Sequence, residues 1–436
     1  MQIPIETFQL ENGLFVTLSR DPTAPLVAVN IWYHVGSANE RAGRTGFAHL
    51  FEHMLFQGSA DVAANEHFEL VQRAGGTLNG STWVDRTNYF ETVPSNYCEL
   101  VLWLEANRMG RLLPAMTQQK LDTQRDVVKN ERRWSVDNQP YGTWWEKLPA
   151  LCFPPSHPFH HSLIGSMEDL SQASLNDIAE FFAAYYTPDN AVLSVAGDFD
   201  AEAVRGWIDE HFGGIRAGVG RPPMPEMKLP PRFGDWKQEE VVDNVALPRV
   251  FLAFRSPVFG SVDYYAASVC GAILGLRNGS RLYRRLVRDR QIAAEANAFT
   301  FDLTVGGDLL VVDVTGRQGV GARELHDEVA REVDMLRASG VTAAEVSRAV
   351  NLIETEFISA MQSAGGRADR LSMFATYFRD PALINVQAER YADVSASAVN
   401  RFVAEYLGED NRASLVYVPR QATNGGRELP ARERPE

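Results

Sequence analysis

The stretch FAHLFEHMLFQGS, residues 47–59, carries two histidines and a glutamate within five positions: His49, Glu52 and His53. Its apolar residues recur at helical spacing and it contains no proline, so the sequence predicts a helix. On that helix His49 and His53 lie one turn and about 40° apart, and Glu52 lies about 60° to the other side of His49. This arrangement suits a zinc ion with two nitrogen ligands and a neighbouring base.

A pair of histidines at this spacing is more often incidental than metal-binding. In this stretch the flanking residues are apolar, so burial would remove the Glu52 carboxylate from water together with both imidazoles. An unpaired buried carboxylate costs several kcal/mol. The segment therefore favours a metal site over a helix that only happens to carry polar residues.

Length and composition limit the possible functions. The chain has 436 residues, which suggests two to four domains. Its net charge of -14 argues against nucleic acid or an anionic membrane as the main partner, because a polyanion would be repelled. Three widely spaced cysteines, Cys98, Cys152 and Cys270, indicate neither a disulfide scaffold nor a CxxC metal site.

The chain shows no targeting or membrane-spanning segment. Its first residues, MQIPIETFQLENG, lack a basic region followed by an apolar run, and no window approaches about 18 uninterrupted apolar residues. We therefore predict no membrane span. The compartment stays undetermined: cytoplasmic by default, or periplasmic if a leader was removed.

Two pairs of segments repeat the same scheme. FFAAYYTPDNAVLSVAGDFD, residues 181–200, and FVAEYLGEDNRASLVYVPR, residues 402–420, each indicate a helix end, a turn and a buried strand. LVAVNIWYHVGSANE, residues 26–40, and PRVFLAFRSPVFGS, residues 248–261, each indicate a strand, a polar loop and then a long helix. The chain therefore contains two related halves of about 200 residues.

Between the halves, GVGRPPMPEMKLPPRFGDW, residues 218–236, contains five prolines and three glycines, which disfavour a regular element. We predict a first domain at 1–217 (the first half), this linker, a second domain at 237–420 (the second half) and a polar tail at 421–436. Both halves alternate strands with long helical stretches. The predicted class is α+β, in which each half is a mainly antiparallel sheet covered by helices.

The order H-x-x-E-H is the inverted zincin motif, and with it the sequence resembles the pitrilysin-type, insulinase-like (M16) family of zinc peptidases. Further matching segments are GGTLNGSTWVDRTNYF at 75–90, HPFHHSLIG at 157–165, YYTPDNAVLSVAGD at 185–198 and GSRLYRRLV at 279–287. The resemblance implies an M16-like metallohydrolase fold in which only the first half carries metal.

The resemblance also implies roles for individual residues. His49, His53 and a third ligand, Glu131, which follows His53 by 78 positions, would bind one zinc ion per chain. Glu52 would be the general base that takes a proton from the bound water and later passes it to the leaving amine.

Two further features relate to the family pattern. Asn79, Gly80 and Ser81 match its edge strand, which would hold an extended peptide by added β-pairing, although a simple turn is an alternative. In the family a glutamate seven residues before the glutamate ligand commonly supports a histidine ligand. Here that residue is Gln124, which accepts a hydrogen bond but supplies no negative charge.

The second half departs from the family in another way. Single-chain members and some partner subunits carry an Arg and a Tyr, seven residues apart, that reach the substrate carbonyl, and here Val287 and Ala294 occupy those places. Neither side chain donates a hydrogen bond. The resemblance therefore implies a partner, either a second M16-like subunit that supplies Arg and Tyr or a second copy in a homodimer. A shifted register, using Arg288 with Glu295, or Arg281, is the alternative.

The sequence thus predicts a zinc-dependent endopeptidase that hydrolyses peptides or unfolded segments. One alternative is a non-catalytic assembly or processing-complex subunit, but such relatives carry degraded zinc motifs and this motif is intact. Another is a structural zinc site, which requires four protein ligands rather than three and a separate carboxylate. The remaining histidines, including His160 and His161, lack ligand spacing.

Overall fold

The computed structural model describes residues 2–220, 222–225 and 227–420. The predicted polar tail, residues 421–436, lies outside the described residues. Within the described part of the chain, the strands form two sheets, one from each half, and helices cover both sheets. This confirms the predicted α+β class with two structurally related halves.

The first sheet has the strand order β1-β2-β6-β3-β5-β4. Only the β2–β6 pair is parallel; the other neighbours are antiparallel. Every residue of β6 is buried, as expected for a strand that is covered on both faces. The strands are β1 (Glu6–Gln9), β2 (Phe15–Arg20), β3 (Leu26–Tyr33), β4 (Thr77–Thr82), β5 (Thr87–Pro94) and β6 (Ala191–Gly197).

The second sheet repeats this topology with the order β7-β11-β8-β10-β9. Its parallel pair is β7–β11, and the antiparallel series β11-β8-β10-β9 corresponds to β6-β3-β5-β4 of the first sheet. The repeat seen in the sequence is therefore a repeat of strand order. The strands are β7 (Lys237–Asp243), β8 (Arg249–Ser256), β9 (Ala293–Thr300), β10 (Asp308–Gly316) and β11 (Arg412–Pro419).

Helices occupy both faces of the sheets. Those of the first half are α1 (Phe47–Met54), α2 (Glu66–Arg73), α3 (Cys98–Arg111), α4 (Gln118–Arg132), α5 (Trp144–Cys152), α6 (Met167–Ser171), α7 (Leu175–Tyr185) and α8 (Ala201–Phe212). Those of the second half are α9 (Val262–Gly275), α10 (Ala322–Ser339), α11 (Ala343–Met361), α12 (Ala364–Phe378), α13 (Gln387–Ala392) and α14 (Ala396–Tyr406). No helix in the described part of the chain combines the length and apolar character needed to span a bilayer.

One helix of each half packs on the sheet of the other half. Helix α12 packs on β3 and β6 of the first sheet, where Ser372 donates a hydrogen bond to Ser194 at 2.7 Å and Trp32 Nε1 donates to Asp369 at 3.2 Å. In the other direction, α5 packs on β7, β8 and β11. The halves therefore share their cores.

The segment 218–236 connects the halves. Its described residues contain neither helix nor strand, as the prolines predicted. The segment is nevertheless packed: Met227 is buried among side chains of both halves, and Arg255 donates a hydrogen bond to the carbonyl of Pro230 at 2.8 Å. The division of the chain into 1–217, 218–236 and 237–420 stays a prediction.

Candidate metal centre

Helix α1 presents the three polar residues on the side away from the core. Its apolar residues, Phe47, Leu50, Phe51 and Met54, are buried in the first core. Their helical spacing orients the opposite face, so His49 and His53 lie next to one another with ring centroids 4.8 Å apart.

Helix α4 brings the third residue to this pair. His49 Nε2 lies 3.6 Å from Glu131 Oε1, and His53 Nε2 lies 3.3 Å from Glu131 Oε2. Two ligands held about 2.1 Å from a tetrahedral zinc ion stand about 3.4 Å apart. The donor set of two imidazoles and a carboxylate, and its spacing, therefore fit a zinc ion.

The pKa shifts of His49 and Glu131 favour the protonation states that bind metal, whereas Glu131 itself raises the pKa of His53. Burial lowers the pKa of His49 from 6.5 to about 4, so its imidazole is neutral at pH 7, the form that binds metal. Burial also acts to lower the pKa of His53, but the hydrogen bond and charge of Glu131 outweigh it and raise that pKa. The hydrogen bond with His53 lowers the pKa of Glu131, which keeps its carboxylate ionised.

Glu52 lies beside the ligands and is held by strand β4. Thr82 Oγ1 donates a hydrogen bond of 2.6 Å to Glu52 Oε2. A Cβ atom on Gly80 would stand only 3.1 Å from Glu52 Oε1, so the absence of a side chain there makes room for the carboxylate. Burial raises the pKa of Glu52 against the lowering effect of Thr82, which makes the carboxylate a stronger base.

Gln124 precedes Glu131 by about two turns on the same face of α4. Its side chain is buried, and a hydrogen bond between it and His53 contributes to raising the pKa of that histidine. The structure therefore places Gln124 where a residue that orients His53 would lie.

A buried carboxylate caps the amino end of α1. Glu40, whose side chain is fully buried, accepts hydrogen bonds from the backbone N–H of Gly46 at 2.9 Å and of Ala48 at 2.8 Å. Helix α1 has no side-chain cap of its own, so Glu40 satisfies donors that the helix leaves unpaired. Burial raises the pKa of Glu40 well above its usual value, and these N–H groups oppose the shift.

The loop before α6 contacts both α1 and α4, the two helices that carry the candidate ligands. A Cβ atom on Gly46 would stand 2.8 Å from Gly165 Cα, so the amino end of α1 touches the loop before α6 directly. Arg132, which follows the candidate ligand Glu131, donates a hydrogen bond of 2.8 Å to the carbonyl of Gly165 and also pairs with Glu146. Gly165 therefore contacts both helices, Gly46 before α1 and Arg132 at the end of α4, and fixes their relative position.

The predicted substrate strand lies at an edge of the sheet. Strand β4, which contains Asn79, Gly80 and Ser81, ends the strand order of the first sheet and pairs only with β5 among the described strands. One side of β4 is therefore open for added β-pairing beside Glu52.

The Val and Ala side chains at the positions expected for Arg and Tyr bring no hydrogen-bond donor to this centre. Val287 is buried in the second core, and Ala294 lies exposed at the start of β9. The residues of the shifted register are engaged elsewhere: Arg281 forms a paired contact with Glu345, and Arg288 lies on the surface against its neighbour Asp289.

A second group of metal-capable side chains lies inside the first half: His67, Glu91 and Glu105 are fully buried, with ligand atoms within 4.8 Å of one another. Arg108 contacts Glu105 and lies 3.5 Å from Glu91, so a guanidinium already supplies the positive charge. This group is a buried ion-pair network. Sequence spacing did not indicate it, because its members come from three separate elements.

Sequence reasoning also missed residues that hold the centre together. Glu40 and Arg132 act through contacts with backbone that is distant in sequence, and no local pattern marks them. Thr82 could have been predicted, because it lies two positions after Gly80 on the same strand and therefore on the same face.

Comparisons with known proteins identify the family of the chain. The family model described as "Insulinase (Peptidase family M16)" matches residues 15–149, and the one described as "Peptidase M16 inactive domain" matches residues 172–353. The zinc protease PqqE of Helicobacter pylori is 29% identical over 417 residues, which span 95% of this chain and 92% of that protein.

Solved structures show the same fold. A protease from Helicobacter pylori superposes with a TM-score of 0.89 at 27% identity, covering 96% of this chain and 100% of that one. A protein from Pseudomonas fluorescens, titled a peptidase M16 inactive domain, superposes with a TM-score of 0.84 at 16% identity, covering 96% of this chain and 98% of that one.

Proposed function

Because this chain belongs to the M16 family of peptidases, we propose that it is a zinc-dependent endopeptidase that hydrolyses peptides or unfolded segments. The observation that carries the proposal is the meeting of His49, His53 and Glu131 at spacings suited to zinc, with Glu52 beside them. These three residues would hold one zinc ion.

When bound, zinc would polarise the scissile carbonyl and lower the pKa of a bound water toward ~7. Glu52 acts as the general base. Thr82 fixes one oxygen of its carboxylate, Oε2, so the other oxygen takes the proton of the attacking water and then delivers it to the leaving amine. The raised pKa of Glu52 suits this role, because a weakly basic carboxylate would hold the proton poorly.

Strand β4 positions the substrate. An extended peptide adds to its open edge, and Asn79, Gly80 and Ser81 supply the backbone groups beside Glu52. Gly80 suits this arrangement, because a Cβ atom there would stand 3.1 Å from the base and push it aside. The hydrogen bond of Gln124 orients the ring of His53.

The chain with Glu52→Gln tests this function. The variant should keep about one zinc ion per chain, measured by metal analysis, and lose hydrolysis of peptides by roughly 10²-fold or more. Glu69→Gln, which changes an exposed glutamate of α2, is the matched control and should keep full activity. Zinc-loaded wild-type protein without any chelator-sensitive hydrolysis, alone or with a partner, would instead favour a non-catalytic assembly subunit.

We further propose that a second subunit completes the site, because Val287 is buried and Ala294 offers no donor. The partner is a related M16-like subunit that brings Arg and Tyr, or a second copy of this chain. Loss of one oxyanion donor costs about 10² to 10³ in rate, so the isolated monomer should be nearly inactive. Peptide cleavage assayed with light scattering across a concentration series tests this, and turnover at tens per second by the monomer would contradict it.

A further inference from the structure

A cavity of about 380 Å³ lies beside the candidate metal centre, with walls from both halves of the chain. His49 and Glu131 line it on the side of the metal centre. Most of its other lining residues are apolar, and the larger ones are Trp83, Trp145, Phe153, Phe159, Phe301 and Leu303. Pockets that bind small molecules are of this size and character, and they occur preferentially between domains.

Three aromatic side chains form one wall. Trp83 meets Trp145 edge to face, with ring centroids 5.4 Å apart, and Phe301 lies 5.3 Å from Trp145 and 6.5 Å from Trp83. Trp83 and Trp145 come from the first half and Phe301 from the second. Trp145 is 42% exposed, so this wall reaches the surface.

One buried carboxylate fixes both walls. Asp85, which follows the lining residues Trp83 and Val84, accepts hydrogen bonds from Tyr377 at 2.6 Å and from Thr304 at 3.0 Å. Thr304 follows Leu303 in the loop after β9 that carries the second-half wall. The pocket is therefore already shaped before any ligand arrives.

The polar side chains of the cavity are partly engaged already. Glu146 pairs with Arg132, and His161 lies 3.6 Å from Glu40. An apolar group can thus fill the cavity without breaking a contact of these four residues, whereas a charged group would lose its hydration against aromatic rings.

The position of the cavity along β4 gives its place in a bound peptide. Gly80 stands beside Glu52, and Trp83 follows directly after the last residue of β4. A peptide that adds antiparallel to β4, the commoner form of pairing, runs back toward the amino end of the strand. Its residues before the scissile bond therefore lie near Trp83.

We infer that this cavity binds a large apolar side chain of the substrate, on the residue that precedes the scissile bond, and that Phe301 and Trp145 determine the preference. The inference rests on the proposed peptidase function. It gives the second half, which matches a family model named an inactive domain, a part in choosing the substrate.

Binding and cleavage test it separately. The binding arm uses zinc-loaded Glu52→Gln chain and two labelled peptides of small polar residues that differ only in one central Phe or Ala. Fluorescence anisotropy should show the Phe peptide binding about 10-fold or more tightly, the scale of selection by an apolar pocket. The cleavage arm uses the active wild-type protein, with its partner if one is needed, and mass spectrometry should find the cut directly after Phe.

Substitutions in the aromatic wall test whether its residues cause the preference for Phe. Phe301→Ala and Trp145→Ala should each reduce the preference for Phe over Ala several-fold while zinc content stays the same. Trp145 is partly exposed, so its variant should fold even if the other does not. Trp236→Ala is the matched control, because Trp236 is 53% exposed and lies in a different surface cavity.

The outcomes separate the inference from the function. Equal binding of both peptides, or a preference that survives Trp145→Ala, would overturn the inference. Cleavage before Phe would overturn the assigned direction. Hydrolysis without preference would leave the peptidase and remove the pocket, whereas Phe-selective binding that Trp145→Ala weakens, without hydrolysis, would support the pocket and count against the peptidase.

Discussion

The carboxylate of Glu40 should be needed to hold the amino end of α1, and Glu40→Ala tests this. His49 is the third residue of the helix, so a loosened first turn moves a candidate zinc ligand. The substitution removes the acceptor from the N–H groups of Gly46 and Ala48, which are buried and leave little space for water.

The size of the effect follows from the two lost bonds. A buried N–H that loses its acceptor costs about 1 to 3 kcal/mol, so the two N–H groups together give about 2 to 6 kcal/mol. Water that enters the vacated space can accept hydrogen bonds from these N–H groups and so offsets part of this cost. The expected loss is therefore about 3 kcal/mol in the free energy of unfolding. Zinc affinity should fall about 10-fold or more, as when groups that orient metal ligands are removed.

Urea denaturation of the metal-free protein measures the first quantity, and zinc titration against a competing chelator measures the second. Glu40→Gln should fall between wild type and Glu40→Ala, because its amide oxygen still accepts one of the two hydrogen bonds.

Glu66→Ala is the matched control. Glu66 accepts a hydrogen bond of 2.7 Å from the N–H of Ala63, but at an exposed position, so its loss should cost less than about 1 kcal/mol and leave zinc affinity unchanged. If Glu40→Ala behaves like this control in both measurements, the reasoning about the cap of α1 is wrong.

Other predictions concern the metal and acid stability. Glu131→Gln should bind well under one zinc ion per chain; full occupancy would exclude this residue as a ligand. Gly80→Ala should keep the metal and lower kcat by about 10-fold or more, because the added methyl group pushes against Glu52; unchanged kcat would contradict the close contact. The hydrogen bond from Arg281 holds the pKa of Glu345 at about 2, so this ion pair stabilises the fold above about pH 4.5 and loses its effect as the pH falls toward 2. Glu345→Gln should therefore cost about 1 to 2 kcal/mol at pH 7 and little at pH 2, measured by denaturation at both pH values; an equal loss at both would refute the linkage.

Much of the candidate centre was predictable, because helical spacing alone places His49, Glu52 and His53 on one face. Glu131 needed the family resemblance, since nothing local to α4 marks it as a ligand. Glu40, Arg132 and the cavity wall were beyond reach for one physical reason: each acts through contacts between segments that are far apart in the sequence.

The fold, like the candidate centre, was predictable only in part. Two related halves followed from the repeated strand and turn patterns at residues 181–200 and 402–420, and the structure added their common strand order. The exchange of α5 and α12 did not. An amphipathic pattern shows that one face of a helix is buried, but it does not show which sheet buries it.

The exchange of α5 and α12 makes the two halves obligate folding partners. A fragment that ends before residue 218 would lack α12 and would expose the apolar face of β3 and β6 to water. Such a fragment should aggregate when it is expressed alone and regain its structure only when the complementary fragment is present. Nicking the chain within 218–236 should, by contrast, leave the two pieces bound together. We therefore expect the whole chain to unfold cooperatively, because α5 and α12 each pack on the sheet of the other half.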